Sequence, residues 1–377
     1  MRRVSFFSLK PELSRIKGEV MRAIEGVLDS GKFIMDENVR NFEKEIASYF
    51  GVKYAVSVNS GTDALVISLR ACGVKPGDEV ITTAFTFFAT AEAISIIGAK
   101  PVFVDIKEDT FNIDPDLIEE KINSKTKAII PVHLFGLPAD MERIMSIAKK
   151  YGLKVIEDNA QAFGAQVMVN GKFMKTGSIG DAGAFSFFPT KNLGAYGDGG
   201  IILTNDDEIF EICSMLKNHG SKVKYYNEMF GYNSRLDEIQ AAILRVKLKY
   251  VDQFNDSRLQ IAKLYTEALR EVEEVIKVPF FDSTRYKHVF HQYSVLVKRG
   301  SRDDLRQYLK DKGIDTFVYY PYPLHKLPVY RDLNYSLPVT EGVCERILSL
   351  PVHQFMDLED AQYVADNIKN WVLQRIG

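Results

Sequence analysis

Between residues 54 and 204, short apolar runs alternate with amphipathic stretches, and no other feature constrains the fold of this chain so strongly. Runs rich in Val, Ile, Ala and Phe read as strands at 54–58, 79–83, 100–105, 128–133, 155–158, 182–187 and 200–204. Helical spacing predicts helices at 64–72, 88–97, 116–122, 141–151 and 207–218, preceded by two more at 13–28 and 38–50. Strand and helix in alternation bury a mostly parallel sheet beneath helices on both faces, an α/β architecture. Beyond it, Ser234 followed by Asp237 and Glu238 reads as the cap of a long helix running to about residue 253, and a second helix is expected at 255–272. The remainder mixes a strand-like run at 291–297 with helices at 302–312 and 358–375, an α+β pattern. The expected organisation is therefore a large domain over 1–250 and a smaller one over 251–377.

Ligands of open α/β sheets bind at the carboxyl ends of the strands, so the residues just after each run carry the functional signal. The run at 182–187 is followed by Phe188-Pro189-Thr190-Lys191-Asn192-Leu193-Gly194 and a glycine-dense turn, Gly197-Asp198-Gly199-Gly200. Lys191 thus sits on a tight connection between two interior strands, where burial lowers an amine's pKa and suits it to Schiff-base chemistry. Most lysines are only solvated surface charges, and the address is what sets this one apart. The run at 155–158 ends in Asp158. A Schiff-base lysine with an aspartate against a pyridinium nitrogen is the pair that pyridoxal phosphate (PLP) chemistry needs, whereas an isolated aspartate here would simply cap a loop.

A phosphate site is the third expectation. Val56-Ser57-Val58-Asn59 leads into Ser60-Gly61-Thr62-Asp63-Ala64-Leu65, which is a strand, a glycine turn and a helix N-terminus. Such an end presents free N–H groups and the positive end of the helix dipole to an anion. Ser60, Thr62 and Ser186 can add hydroxyls, although helix capping alone would also account for the first two.

These segments occur in one order with Phe85-Thr86-Phe87-Phe88, Glu157-Asp158-Asn159-Ala160-Gln161, Gly231-Tyr232-Asn233-Ser234 and Tyr320-Pro321-Tyr322-Pro323-Leu324-His325. Together they resemble the DegT-type (DegT/DnrJ/StrS) nucleotide-sugar aminotransferases of the fold-type I PLP enzymes, from Phe6 to His353. The resemblance implies a large domain with a seven-stranded, mostly parallel sheet and a smaller C-terminal domain. It implies that Lys191 carries PLP and shuttles protons, that Asp158 faces the pyridine nitrogen, and that Gln161 lies beside the ring hydroxyl. Gly61, Thr62 and Ser186 match the phosphate cradle. Phe87 matches the stacking aromatic, with Phe85 and Phe88 as neighbours that compete for the role. Asn233 matches a residue that reaches the phosphate of the neighbouring subunit, which implies a homodimer with shared sites. The Tyr320–His325 pattern is similar to members that aminate carbon 3 of the sugar, so Tyr320 and His325 are expected at the substrate. L-glutamate as donor and a dTDP- or UDP-linked keto-sugar as acceptor follow from the family, with 4-keto-sugar amination as the alternative. Members that replace the lysine by histidine act as dehydratases, and this chain keeps lysine. A PLP lyase would share Lys191 and Asp158 but not the Asn233 and Tyr320 segments. A PLP-fold regulator is expected to carry sensor or DNA-binding sequence in addition.

Composition agrees with that reading and excludes others. A net charge of −2 gives no basic footprint for nucleic acid. No run of apolar residues is long enough to span a membrane, and residues 1–7 lack the apolar core of a signal peptide. Cys72, Cys213 and Cys344 are far apart, which fits a reducing compartment, and no histidines stand at metal-ligand spacing. A cytoplasmic, metal-free enzyme is expected. Lys217, Lys222 and Lys224 are the nearest basic residues for an anionic substrate, and an ordinary solvated stretch explains them equally well.

Overall fold

Period-two alternation decides which residues of each strand face which layer. In the computed structural model, which describes residues 2–375, the apolar runs form β1 (Tyr54–Val58), β2 (Glu79–Thr83), β3 (Lys100–Val104), β4 (Thr126–Ile129) and β5 (Lys154–Asp158). After a hairpin of β6 (Gln166–Val169) and β7 (Lys172–Lys175) come β8 (Ala182–Ser186) and β9 (Gly200–Thr204). The sheet is seven-stranded in the order β1-β9-β8-β5-β4-β2-β3. Only β9 runs against its neighbours, pairing antiparallel with both β1 and β8. Val56, Val80, Ala128, Ile156, Ala184 and Ile202 share one core, and Ala55, Phe185, Ile201 and Leu203 face the opposite layer. Side chains in a strand alternate between faces, so two buried cores on one strand require helices on both sides.

Those helices are α1 (Lys10–Ser30), α2 (Glu37–Phe50), α3 (Gly61–Ala71), α4 (Ala89–Ile96), α5 (Met141–Tyr151) and α6 (Asp207–Leu216). The stretch expected to be helical at 116–122 forms two short 3₁₀ turns, Pro115–Leu117 and Glu119–Lys121. A hairpin of β10 (Ser221–Val223) and β11 (Tyr226–Asn227) follows α6. The two helices expected here are both present with shifted bounds: α7 spans Glu238–Leu248, starting later and ending earlier than expected from Ser234, and α8 spans Val251–Ala268 rather than 255–272. Ser234 does not cap α7. Its hydroxyl donates to Asn59 Oδ1 and accepts from the Asn59 amide, which ties this loop to the end of β1. Glu238, which is buried, has a tertiary task too, because its carboxylate accepts from the amides of Asp36, Asn38 and Val39 and so closes the N-terminus of α2.

The C-terminal part continues with β12 (Ile276–Lys277), β13 (Tyr286–Lys287), β14 (Tyr293–Val297), α9 (Arg302–Asp311), α10 (Pro338–Arg346), β15 (Ile347–Leu350) and α11 (Leu358–Arg375). β12, β14 and β15 make a three-stranded antiparallel sheet whose core includes Tyr265, Val295, Leu309, Ile314 and Trp371. Val4 belongs to that core and bridges to Ile314, so the N-terminal arm crosses to the C-terminal layer. In the other direction, β13 adds a strand to β6. Among the described residues no helix is long and apolar enough to cross a membrane.

Candidate active site

The carboxyl ends of β1, β5 and β8 open on one cavity of about 950 Å³. Its floor is the stretch expected to bind phosphate. Ser60 precedes α3 in extended conformation, and its hydroxyl accepts from the Asp63 amide at 3.1 Å, so the capping role is real for this residue. Gly61 and Thr62 then occupy the first turn, where amides lack helical acceptors. A Cβ on Gly61 would lie 2.6 Å from the Ser186 Cβ, so glycine lets the helix start rest against the end of β8. Ser60, Gly61, Thr62 and Ser186 all line the cavity. This is a compact anion cradle of amides and hydroxyls, and it suits a phosphate.

Asp158, the last residue of β5, projects into the same cavity. The Thr90 hydroxyl donates to its Oδ2 at 2.7 Å, and the Ala160 amide donates to Oδ1 at 3.2 Å. Burial pushes its carboxyl pKa up, while Thr90, Ala160 and Lys191 pull the other way. A buried carboxylate with a raised pKa is poised for a cationic partner, and a protonated ring nitrogen is one. The preceding residue, Glu157, points to the opposite side of the strand and is fully buried. It accepts from the amides of Gly177, Ile179 and Gly180 and lies 2.9 Å from His133 Nε2. The Ala139 amide donates to His133 Nδ1, so the Nε2 proton points at Glu157.

Lys191 lies on the wall between β8 and β9, its amide donating to the Phe188 carbonyl at 2.9 Å. Burial lowers its amine from 10.5 to about 8, and Asp158 partly opposes the shift. Gln161 is held at both ends. Its Oε1 accepts from the Phe135 amide at 2.8 Å, and its Nε2 donates to the Tyr320 hydroxyl at 2.9 Å. Of the three phenylalanines in competition, Phe87 lines the cavity and is 59% exposed, whereas Phe85 is buried against Tyr320 and Phe88 turns to Tyr330. An exposed ring at a cavity wall is free to cover a planar ligand, with Tyr320 6.4 Å from it.

Two residues named from sequence are not brought here. His325 is buried outside the cavity wall, with Nε2 3.0 Å from Glu341 Oε1. The turn Leu324–Lys326 packs its apolar side against Phe103 and Tyr330, and that carries the imidazole away. Asn233 is exposed, and its backbone bridges to Asn218 beyond the cavity. None of the three basic residues considered for an anionic substrate lines the cavity: Lys217 pairs with Glu43, Lys222 with Glu211, and Lys224 lies over the Tyr225 ring. In their place the cavity acquires Arg3, Phe6 and Phe7 from the N-terminal arm, and Arg258, His291 and Tyr319 from the C-terminal part. Thr90 was also missed. Its only sequence signal is the four-residue spacing from Thr86, whose hydroxyl it meets at 3.0 Å.

Comparison with known proteins bears on the chemistry. A model described as the DegT/DnrJ/EryC1/StrS aminotransferase family matches residues 14–369. A Geobacillus stearothermophilus protein named pleiotropic regulatory protein is 50% identical, covering 97% of each chain. The UDP-N-acetyl-3-dehydro-alpha-D-glucosamine 3-aminotransferase of Acidithiobacillus ferrooxidans is 43% identical over 95% of each chain. Among solved structures, that of S. venezuelae DesV in complex with a ketimine intermediate superposes with a TM-score of 0.94 at 41% identity, covering 98% of this chain and 99% of that one.

Proposed function

The chain belongs to the DegT/DnrJ/EryC1/StrS aminotransferase family, and from that premise we propose that it moves an amino group from L-glutamate to carbon 3 of a nucleotide-linked keto-hexose. It is a PLP-dependent aminotransferase. The observation that carries the site assignment is the meeting of Lys191, Asp158 and the α3 cradle in one cavity. Carbon 3 is supported by relatives whose names place the new amine there, on UDP and dTDP sugars alike.

Gly61, Thr62 and Ser186 would hold the cofactor's phosphate, Asp158 its ring nitrogen and Gln161 its hydroxyl side, with Phe87 over one face. When bound, PLP supplies the electron sink that makes a substrate C–H acidic. Lys191 does the proton work. With its amine free, Lys191 Nζ would take the proton from the substrate carbon in the first half-reaction, and in the second half it would return a proton to the sugar carbon. Its lowered pKa leaves a useful fraction of free amine near neutral pH. Tyr320, fixed by Gln161, presents a hydroxyl where a sugar substituent would lie.

We read the active form as a homodimer with shared sites, working in the cytoplasm. Asn233 stands outside its own cavity, and Tyr225 and Tyr226 on the nearby β10–β11 hairpin and Phe230 just after it are exposed. Exposed aromatics in a group are a common mark of an interface. The test of the function is amination of a panel of UDP- and dTDP-linked 3-keto- and 4-keto-sugars with glutamate, products identified by mass spectrometry. We expect turnover of a 3-keto member. Turnover confined to 4-keto sugars moves the ketone, and no turnover of any member favours the regulatory role that the Geobacillus relative's name carries.

A further inference from the structure

His291 lines the same cavity as Lys191 and Asp158, and it is buried to 6% exposure. Its Nδ1 lies 3.1 Å from Oδ1 of Asn192, the residue that follows Lys191. The direction of that bond is decided by three other contacts. Asn192 Nδ2 donates to the Val289 carbonyl at 3.0 Å and to Asn255 Oδ1 at 2.7 Å. Asn255 Nδ2 in turn donates to the Phe163 carbonyl. Carbonyls only accept, so neither amide can be turned round, and Asn192 must offer His291 an oxygen. The imidazole therefore carries its proton on Nδ1, and Nε2 bears a lone pair. Among the described residues Nε2 has no protein partner, yet unlike the Nε of neighbouring Arg258 it is not sealed from the cavity. The Arg258 guanidinium directs its Nη donors to the carbonyls of Phe290, His291 and Val352 and to Gln354 Oε1, and makes no hydrogen bond to His291 Nε2.

We propose that His291 is a positioning residue for Lys191: clamped by Asn192 as the Nδ1–H form, it accepts a hydrogen bond at Nε2 from the Lys191 ammonium. The inference rests on the reading of Lys191 as the proton carrier. When Lys191 Nζ takes a proton from the substrate carbon it becomes a cation with three N–H bonds, in a cavity where burial disfavours charge. One of those bonds goes to Nε2. No proton passes to the imidazole, and when Nζ gives its proton back the bond is released. The groups around the ring keep it a pure acceptor. Burial, Lys191 and Arg258 together hold the imidazole well below its ordinary pKa, so it stays neutral through the cycle. Asp158, the other group near Lys191, accepts from Thr90 and Ala160 and is assigned to the cofactor's ring nitrogen.

The test has two arms on the holoenzyme. Nitrogen-15 spectra of selectively labelled histidine, assigned with His291→Gln, should show His291 protonated at Nδ1 alone from about pH 6 to 9, a range across which an ordinary histidine, with a pKa of about 6.5, goes from mostly charged to neutral. A proton on Nε2 overturns the proposal without any variant having to fold. In the second arm the enzyme is first aminated with glutamate, which frees Lys191, and the pH midpoint of Lys191 acylation is read by peptide mass spectrometry. His291→Phe should lower that midpoint by roughly one pH unit, through loss of an acceptor for the charged form. His291→Gln, with Oε1 near the place of Nε2, should restore most of it. The glutamate half-reaction in His291→Phe should slow about tenfold with its KM within about twofold. Equal midpoints in native and His291→Phe proteins refute the proposal. Retained transamination in Lys191→Ala would instead refute the reading of Lys191, leaving both His291 measurements interpretable.

Discussion

Adjacent carboxylates at the end of β5 do unlike work because a strand turns successive side chains to opposite sides. Glu157 bonds three amides and faces His133, whereas Asp158 presents its carboxyl group to the cavity. The conservative swaps should therefore separate. Asp158→Asn keeps shape and is expected to unfold near the native temperature while losing at least about a hundredfold in both half-reactions, since the ring nitrogen loses its anionic partner. Glu157→Gln replaces a charged acceptor in a dry site and should cost about 2–4 kcal/mol of stability. Calorimetry of the two proteins beside their turnover decides it, and near-native turnover in Asp158→Asn would show that the wrong carboxylate had been paired with the ring. Lys191 carries a pH signature in the cofactor-free protein. Its amine is lowered to about 8 from 10.5, so between those values the unfolded chain binds more protons than the folded one, and stability rises with pH. Below about 8 both forms are charged there and the destabilisation is full. Lys191→Met should flatten this rise, which thermal melts at pH 7 and pH 10 would reveal.

At the scale of elements, the cradle depends on how closely α3 meets β8. Gly61→Ala puts a methyl 2.6 Å from the Ser186 Cβ, and that contact is side chain on a strand end with little room to give. We expect folding with a loss of about 1–3 kcal/mol and PLP affinity reduced more than about tenfold, read by cofactor titration. Unchanged affinity would place the phosphate elsewhere. Sequence patterns located these elements well, with α5 and the strands β1, β2 and β9 ending at the residues expected. The failure at α7 has a physical cause. Ser234 and Glu238 look like a local cap, but Ser234 binds Asn59 and Glu238 closes α2, so both are spent on segments far away in the chain. A local signal cannot distinguish a cap from a tertiary tie made with the same chemistry.

For the whole molecule the expected dimer is testable by complementation. Lys191→Ala and Asn233→Ala chains, each inactive alone, should recover up to about a quarter of native activity when equal amounts are mixed and allowed to exchange, because in the half of the dimers that are mixed one site carries neither lesion. Exchange shown by mass-tagged subunits without recovery would overturn the shared-site reading of Asn233. Independently, Tyr226→Glu and Phe230→Glu together should shift the protein toward monomer in analytical ultracentrifugation, since one ring is exposed on the hairpin and the other just after it.

The amino-acid sequence alone determined the sheet, its layers and the residues at its strand ends: Lys191, Asp158, Gly61, Thr62 and Ser186 follow from periodicity and from the rule that ligands gather at carboxyl ends. It also distinguished the family, because several short motifs in one order are far more specific than any of them singly. Only the tertiary structure decided that Phe87 rather than Phe85 meets the cavity, that His325 turns away to Glu341, and that Arg258 and His291 arrive from the C-terminal part to close the wall. These belong to contacts between segments far apart in sequence, and a contact of that kind leaves no periodicity behind. A strand end is a local fact that neighbouring residues encode, whereas a wall assembled from the N-terminal arm, the β8–β9 connection and the start of β14 exists only once the chain has packed.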